Sequence, residues 1–377
     1  MKVALVHDYI KEYGGAERVL ESLHTIFPEA TVFTSVYLPE YLGPHKNRFK
    51  NWKIKTSYAQ YLPGKAKLIS FLRIISPFLF RSFDFQGYDI IIVSATGAYF
   101  PNALQKKGAK LICYCHTPPR YLYGYATARE WKKYRILRIL GELVNHFLRI
   151  IDYATSRNVD YYIANSDEVR KRIQKFYRRE AQVIYPPLVI RSTSKKVNLK
   201  QDTNAKYKSN TGYFITGGRL ARAKHVDLII KACNELGVRL KVFGKAFAGY
   251  KDDLLAIASP TIEFVGEVSD EEKYNLLKGA KAFLFASEDE DFGITPVEAM
   301  SVGVPVIAYR SGGVRETVRE NKTGIFFDQL TTEALKEKIK QFDSIGIKAE
   351  DCIKRANEFS EERFKKEISS FISSLSK

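Results

Sequence analysis

Residues 281–308 read KAFLFASEDEDFGITPVEAMSVGVPVIA. The apolar run Ala282 to Ala286 stops at four consecutive acids, Glu288, Asp289, Glu290 and Asp291, and Phe292-Gly293-Ile294 then leads into Thr295-Pro296-Val297-Glu298. A short apolar run bounded by polar turn residues has the pattern of a buried strand, and a helix start follows within a few residues. Buried strands alternating with helices indicate α/β architecture with parallel sheets. The acids therefore sit where such sheets bind ligands, past the carboxyl end of a strand and beside a helix N-terminus.

The same alternation extends in both directions. Upstream, KVALVH, TVFTSV, DIIIVSA, KLICYC and DYYIAN read as strands, GGAERVLESLHTIF carries one helical stripe through Ala16, Val19, Leu20, Leu23 and Phe27, and Ser166 is placed to cap the helix SDEVRKRIQKFY. From Pro186 to about Asn210 the chain is polar and aperiodic, and a second series begins at GYFITGG. The expected organisation is a Rossmann-like domain over 1–188, a linker over 189–210, a second Rossmann-like domain over 211–358 and a terminal helix over 359–377. Two such domains facing each other would form a cleft at the carboxyl ends of their strands.

Charge is distributed unevenly across the 377 residues. The whole chain carries +18, and residues 1–190 hold 29 Lys and Arg against 15 Asp and Glu, an excess of 14. A basic N-terminal half fits an anionic substrate or membrane surface. The aromatics follow core periodicity and no DNA or RNA module is present, so nucleic acid is not the expected partner. The four cysteines form no CxxC pair and no metal-spaced cluster; Cys113 and Cys115 share one strand face as small buried residues, in a reducing cytosol. The N-terminus lacks a signal-peptide core and no uninterrupted apolar run is long enough to span a bilayer.

Glu298 admits two readings. Thr295 at a helix N-cap with Glu298 three residues later has the form of a capping box. Alternatively, the Phe292–Ile294 turn and the helix N-terminus face a diphosphate while Glu298 accepts hydrogen bonds from vicinal sugar hydroxyls. Asp289-Glu290-Asp291 imitates a D-x-D metal site, but nearby cations already balance phosphate, so no metal is expected. Those cations come from GGRLARAKHVD, where Arg219 and Lys224 follow Gly218 at another strand end and suit a departing diphosphate.

These pieces together resemble a known family. Glu290 and Glu298 in EDFGITPVEAMSVGVPVIA, GGRLARAKHVD before them and GGVRETV after them are similar to family 4 of the retaining GT-B glycosyltransferases; so are VHDYIKEYGGAERVL, CYCHTPPRYLY and the closing FSEERF. The resemblance implies a metal-independent enzyme without a cofactor. Glu298 would hold the ribose of a nucleotide sugar and Glu290 the transferred sugar, with Arg219 and Lys224 clamping the diphosphate. Gly14 and Gly15 would let the first loop approach the ligand closely, and His116 would bond the sugar's 6-hydroxyl. The terminal helix would return to the N-terminal domain, covering Phe364, Ile368, Phe371 and Ile372. The HDY…GGAER and CHTPxRY pieces resemble a subgroup that uses GDP-mannose in O-antigen, capsule or exopolysaccharide assembly, with a UDP-hexose or deoxysugar donor as the alternative. A non-catalytic polyanion- or membrane-binding protein on the same scaffold is the other class of function.

Family analogy implies a lipid-linked saccharide acceptor at the inner face of the cell membrane. KAKLISFLRIISPFLFRSF, residues 65–83, mixes Lys65, Lys67, Arg73 and Arg81 with Ile, Leu and Phe. It reads equally as an interfacial helix on an anionic membrane and as a core helix with its cations in water.

Overall fold

The computed structural model describes residues 1–127, 135–189, 212–247 and 249–375. The expected linker lies outside these residues except for Val189. The chain divides into two compact units: the first takes residues up to Tyr125, the segment ending at Pro187 and the terminal residues from Glu361, and the second is built on Leu188–Ser360.

In the first unit β1 (Val3–His7) leads to α1 (Gly15–Ile26), β2 (Thr31–Thr34), β3 (Ile54–Thr56), α2 (Lys65–Arg81), β4 (Ile90–Ala95), β5 (Lys110–Cys115), α3 (Arg135–Ser156), β6 (Tyr161–Ala164), α4 (Asp167–Tyr177) and β7 (Ala181–Val183). The seven strands form a parallel sheet in the order β3-β2-β1-β4-β5-β6-β7. Central strands are apolar on both faces because helices cover both, and β1 and β4 are buried throughout. The edge strands β3 and β7 bury less and carry no clear apolar run, which is why the sequence pattern passes over them. Ser166 caps α4 as expected, its Oγ accepting from the Val169 N–H at 3.1 Å.

The second unit runs β8 (Tyr213–Gly217), α5 (Val226–Leu236), β9 (Leu240–Phe243), α6 (Tyr250–Ala256), β10 (Ile262–Gly266), α7 (Asp270–Lys278), β11 (Ala280–Phe285), α8 (Ile294–Ser301), β12 (Val306–Tyr309), α9 (Val314–Thr317), β13 (Gly324–Phe327), α10 (Thr332–Ile345) and α11 (Ala349–Asn357). Its six parallel strands are ordered β10-β9-β8-β11-β12-β13. The order of strands in each sheet reverses once, between β1 and β4 and between β8 and β11, and ligands of doubly wound sheets bind at such reversals of order.

The last helix, α12 (Glu361–Leu375), belongs to the first unit. Phe364, Ile368 and Ile372 are buried in the core layer that also holds Val19, Leu20 and Leu23 of α1, each contributing roughly 1.5–3 kcal/mol relative to exposure. The Arg363 guanidinium donates to the Tyr185 carbonyl at 2.7 Å, and Ser22 Oγ to Glu361 at 3.1 Å. The apolar stripe near the C-terminus thus finds its cover on the N-terminal unit.

Candidate active site

In the second unit the site residues gather past β8 and β11. The β8–β9 edge is too tight for side chains: Gly244 has φ +112°, and a Cβ there would lie 1.8 Å from the Gly218 carbonyl oxygen. The acidic loop is similarly held from below by Gly312, where a Cβ would meet the Glu290 carbonyl oxygen at 2.2 Å, while the Gly313 N–H donates to that oxygen at 2.7 Å. The Glu288 N–H donates to the Ala223 carbonyl at 3.0 Å and the Asp289 N–H to Ser311 Oγ at 3.0 Å. The four acids therefore form a fixed, half-buried loop and not a solvated run.

Glu290 is the pivot of that loop. Its Oε2 accepts from Ser287 Oγ at 2.6 Å and pairs with the Lys224 ammonium. Lys224 ends a short 3-10 turn, Arg222–Lys224, which the Glu288–Ala223 bond ties to the acidic loop. Gly293 lies against Glu290, with Glu290 Cγ 3.7 Å from where its Cβ would stand, and Thr295 lies against Gly218 at 3.5 Å on the same measure. Gly218, Lys224, Glu290, Gly293 and Thr295 are thus brought together around the sheet reversal. Arg219 is exposed, with its guanidinium 4.3 Å from the centroid of the Phe247 ring.

The capping-box form of Thr295–Glu298 is not realised. The helix N-cap is Gly293, at φ +88°, and no side chain caps the helix. A backbone in the left-handed region favours the glycine, so α8 begins at Ile294, earlier than the Thr-Pro signal predicts. Glu298 then falls in the second turn, where it is buried and accepts from Lys273 Nζ of α7 at 2.6 Å. Phe292 is buried beside Phe359, ring centroids 5.4 Å apart. No sequence signal marked Lys273 or Ser287.

The first unit carries Gly14, Gly15 and His116. Gly14 precedes α1 at φ −141°, and neither glycine takes a left-handed conformation. A Cβ at Gly14 would stand 3.4 Å from Glu17 Oε2, an ordinary contact. The Gly14 N–H donates to Glu17 Oε2 at 2.8 Å. From Glu17 a buried polar chain runs inward: Glu17 Oε1 to His7 Nε2 at 3.4 Å, His7 Nδ1 to Ser94 Oγ at 3.2 Å, and Ser94 Oγ to His116 Nε2 at 2.8 Å. Burial, reinforced by the charge of His7, lowers the His116 pKa to about 3. Burial opposes charge on His7 too, but the Glu17 hydrogen bond and charge, with Asp8, outweigh it and raise its pKa. His116 is therefore a neutral hydrogen-bonding group, linked through Ser94 to an imidazole that Glu17 and Asp8 bias toward its protonated form. His7 and Glu17 lie in the HDY…GGAER stretch without a role of their own in the sequence reading, and nothing there marks Ser94; their link exists only because β1 and β4 pair in register, His7 against Ser94.

Comparison with known proteins agrees with this layout. Residues 13–190 match the family described as Glycosyltransferase Family 4, and residues 199–359 match Glycosyl transferases group 1. The chain belongs to this family of glycosyltransferases, and it is an enzyme of that class. Among characterised relatives, the alpha-1,3/1,6-mannosyltransferase ALG2 of Rhizomucor pusillus is 24% identical over 86% of this chain and 80% of its own length. The human ALG2 is 23% identical over 77% and 74%, respectively. Two solved structures show the GT-B fold. HepE of Anabaena, in complex with UDP and glucose, superposes at a TM-score of 0.70 with 19% identity over 99% of this chain and 100% of its own. Sucrose-phosphate synthase of Thermosynechococcus elongatus reaches 0.72 with 16% identity over 100% and 99%.

Proposed function

We propose that this enzyme transfers a hexose with retention of configuration, without a metal, from a nucleotide sugar to a lipid-linked saccharide, and that mannose from GDP-mannose is the donor. The observation that carries the reading is the convergence of Lys224, Glu290 and the uncapped start of α8 at the reversal between β8 and β11. Cation and helix N-terminus suit the diphosphate, and carboxylates suit hydroxyls of the sugars on either side of it. In this reading Arg219 and Lys224 support the leaving diphosphate, Glu298 accepts from the ribose, Glu290 from the transferred sugar, and the neutral His116 bonds the sugar's 6-hydroxyl. Mannose is favoured by the names of the ALG2 relatives. A UDP-hexose donor is the second reading, favoured by a HepE complex with UDP-glucose.

The membrane part of the proposal rests on two helices. Among the described residues no helix is long and apolar enough to cross a membrane. Yet α2 exposes Leu68, Phe71, Ile74 and Phe78, and α3 exposes Ile139, Leu140, Leu143, Val144, Phe147 and Ile150. Both helices pack on the same short turn, Pro101–Ala103, so they flank one region of the first unit. Apolar stripes of this kind, with Lys65, Lys67 and Arg81 on α2 and no acid among its residues, suit seating on the anionic inner face of the cell membrane. The core reading of residues 65–83 holds for the other face of α2, where Leu72, Leu79 and Phe80 are buried.

The test is calorimetric titration with GDP and with UDP, in EDTA, of the wild type and Glu298→Ala. Binding of one nucleotide that is lost in the variant supports the donor site and identifies the base. Binding of neither, or binding that the variant leaves intact, overturns it.

A further inference from the structure

Glu17 touches two elements of the first unit at once. Its carboxylate is buried and its oxygens are divided: Oε2 accepts from the Gly14 N–H, the returning half of a capping box, and Oε1 lies 3.4 Å from His7 Nε2. His7 Nδ1 then meets Ser94 Oγ, and Ser94 Oγ meets His116 Nε2. His7 and Ser94 are fully buried and His116 is 9% exposed, so each polar atom depends on its neighbour in the chain for a partner. The groups facing His7 are Asp8, Glu17 of α1 and Ser94 of β4. Beside His116 lie the Tyr114 ring, at 5.2 Å between centroids, and Thr117, which accepts from Arg172 of α4; Glu168 pairs with that guanidinium.

A carboxylate only accepts, and the direction of the whole chain follows from that. With His7 protonated, Nε2–H donates to Glu17 and Nδ1–H to Ser94; Ser94 donates to His116 Nε2, and the His116 proton stands on Nδ1. With His7 neutral, its one proton stays on Nε2, because a bare Nε2 would set two acceptors against each other. His7 Nδ1 then accepts from Ser94, Ser94 accepts from His116 Nε2–H, and His116 Nδ1 is bare. The change releases one proton. It leaves from His116 Nδ1, as the His7 Nδ1 proton passes to Ser94 Oγ and the Ser94 proton to His116 Nε2. Nδ1, the ring nitrogen left for a ligand, thus turns from donor to acceptor although His116 stays neutral throughout. Burial opposes charge on His7, but the Glu17 hydrogen bond and charge, with Asp8, outweigh it, so the reversal falls above pH 6.5.

We propose that Glu17 is a positioning residue: through His7 and Ser94 it sets which nitrogen of His116 carries the proton, and the chain reverses as one unit when His7 loses its charge. The tautomer switch stands on the hydrogen-bond chain alone; only its effect on sugar binding rests on the reading of His116 given above. A sugar hydroxyl that accepts from Nδ1–H must turn and donate to a bare Nδ1, giving up the acceptor it served before. Glu17→Gln separates charge from shape. The Gly14 N–H requires an acceptor, so the Gln oxygen faces Gly14 and its NH2 group faces His7. His7 Nε2 then accepts. Without the carboxylate, burial keeps that ring neutral with its proton on Nδ1, and the chain points as it does from a protonated His7. The variant therefore holds one direction across the pH range in which the wild type reverses.

The experiment follows the ring-nitrogen shifts of the full chain, labelled with nitrogen-15 in histidine, from pH 6 to about pH 10, with the His116 signals assigned through His116→Asn. In the wild type His116 is expected to pass from Nδ1-protonated to Nε2-protonated in step with the loss of charge on His7. In Glu17→Gln it should stay Nδ1-protonated throughout, and in Ser94→Ala His7 should titrate without moving the His116 tautomer. A wild-type tautomer that is constant over the range, or a Glu17→Gln protein that titrates like the wild type, overturns the proposal; the latter would leave Glu17 as a helix cap alone. In parallel, calorimetry compares GDP-mannose with GDP and UDP-glucose with UDP, so that the ratio of affinities isolates the sugar. A ratio that falls about 10-fold across the reversal in the wild type only, the worth of one net hydrogen bond, supports the proposal and the sugar contact together. A constant ratio beside the observed switch supports the Glu17 chain and removes His116 from the sugar.

Discussion

Ser94 Oγ lies 2.8 Å from His116 Nε2 and 3.2 Å from His7 Nδ1, so a single hydroxyl decides what two imidazoles present. It has one proton to donate. With the His7 pKa raised and that of His116 lowered to about 3, a protonated His7 donates to Ser94 and Ser94 donates to His116. The His116 proton then sits on Nδ1. At pH 6, nitrogen chemical shifts of His116 are expected to show a neutral ring protonated at Nδ1. In Ser94→Ala the tautomers are expected to mix, with kcat/KM falling about 10-fold, the effect of one net hydrogen bond. Ser94→Thr should restore both. An Nε2-protonated ring in the wild type would refute the arrangement.

The Lys224–Glu290 pair predicts an asymmetry between two variants. On the proposed reading Lys224 would turn to phosphate as the ligand's hydroxyls engage Glu290, so the pair would exchange partners on binding. Glu290→Gln keeps hydrogen-bonding capacity but loses the charge that holds Lys224. Nucleotide affinity should therefore be maintained or rise in Glu290→Gln while turnover falls 100-fold or more. Lys224→Met should weaken nucleotide affinity and turnover together. Parallel loss of nucleotide affinity in both would contradict the exchange.

How much of this was legible in the sequence depends on which interactions are local. The central strands and the site loops were readable because burial on both faces writes an apolar run and a glycine or acid marks its end. Short edge strands such as Ile54–Thr56 carry no such mark, because one side of the strand faces no partner. The start of α8 was misplaced by two residues, since a left-handed Gly293 outweighs the Thr-Pro signal. Lys273 beside Glu298, and Ser94 between two histidines, are contacts across elements far apart in the chain, and no local spacing encodes them.

Glu298 and Lys273 form a buried pair, which separates stability from function. Removing one partner leaves the other charge buried; Lys273→Met should cost about 2–3 kcal/mol, somewhat below a fully buried pair because Lys273 retains some solvent contact. The double variant Lys273→Met with Glu298→Gln should recover most of that loss in urea melts. It should not recover nucleotide binding, because Glu298 is assigned to the ribose. Recovery of both would reduce Glu298 to a structural residue.

Asp152 anchors α3 by accepting from the Tyr123 hydroxyl at 2.7 Å and the Tyr177 hydroxyl at 3.2 Å. Burial outweighs these bonds and raises its pKa to about 7. Between the unfolded value near 3.8 and the folded one, the native state binds the extra proton, so this group's contribution falls as pH rises through that window and is flat above it. His116 acts in the opposite sense below its unfolded value of 6.5, so the wild-type curve alone does not isolate either group. The difference between Asp152→Asn and wild type does. The variant should gain on the order of 2 kcal/mol relative to wild type between pH 5 and pH 8. A difference that is constant with pH would show that Asp152 does not titrate there.

The exposed faces of α2 and α3 make the membrane proposal separable from catalysis. Phe71 and Phe147 are 59% and 58% exposed, so neither supports the core, and substituting them should leave the melting temperature unchanged. Burying an aromatic side chain in a bilayer interface is worth roughly 1.5–3 kcal/mol, so Phe71→Glu with Phe147→Glu should reduce binding to anionic vesicles by 100-fold or more. Soluble-nucleotide binding should not change, since both positions lie in the first unit, whereas Lys224 and Glu298, proposed to hold the diphosphate and ribose, lie in the second. The exclusion of lipid by charge and by lost apolar area can be told apart with Phe71→Ser and Phe147→Ser, which should weaken binding less. Vesicle binding that survives the glutamates but vanishes at high salt would assign the attraction to the basic residues alone. Dimerisation that is lost in the variants would assign the apolar faces to a second copy of the chain.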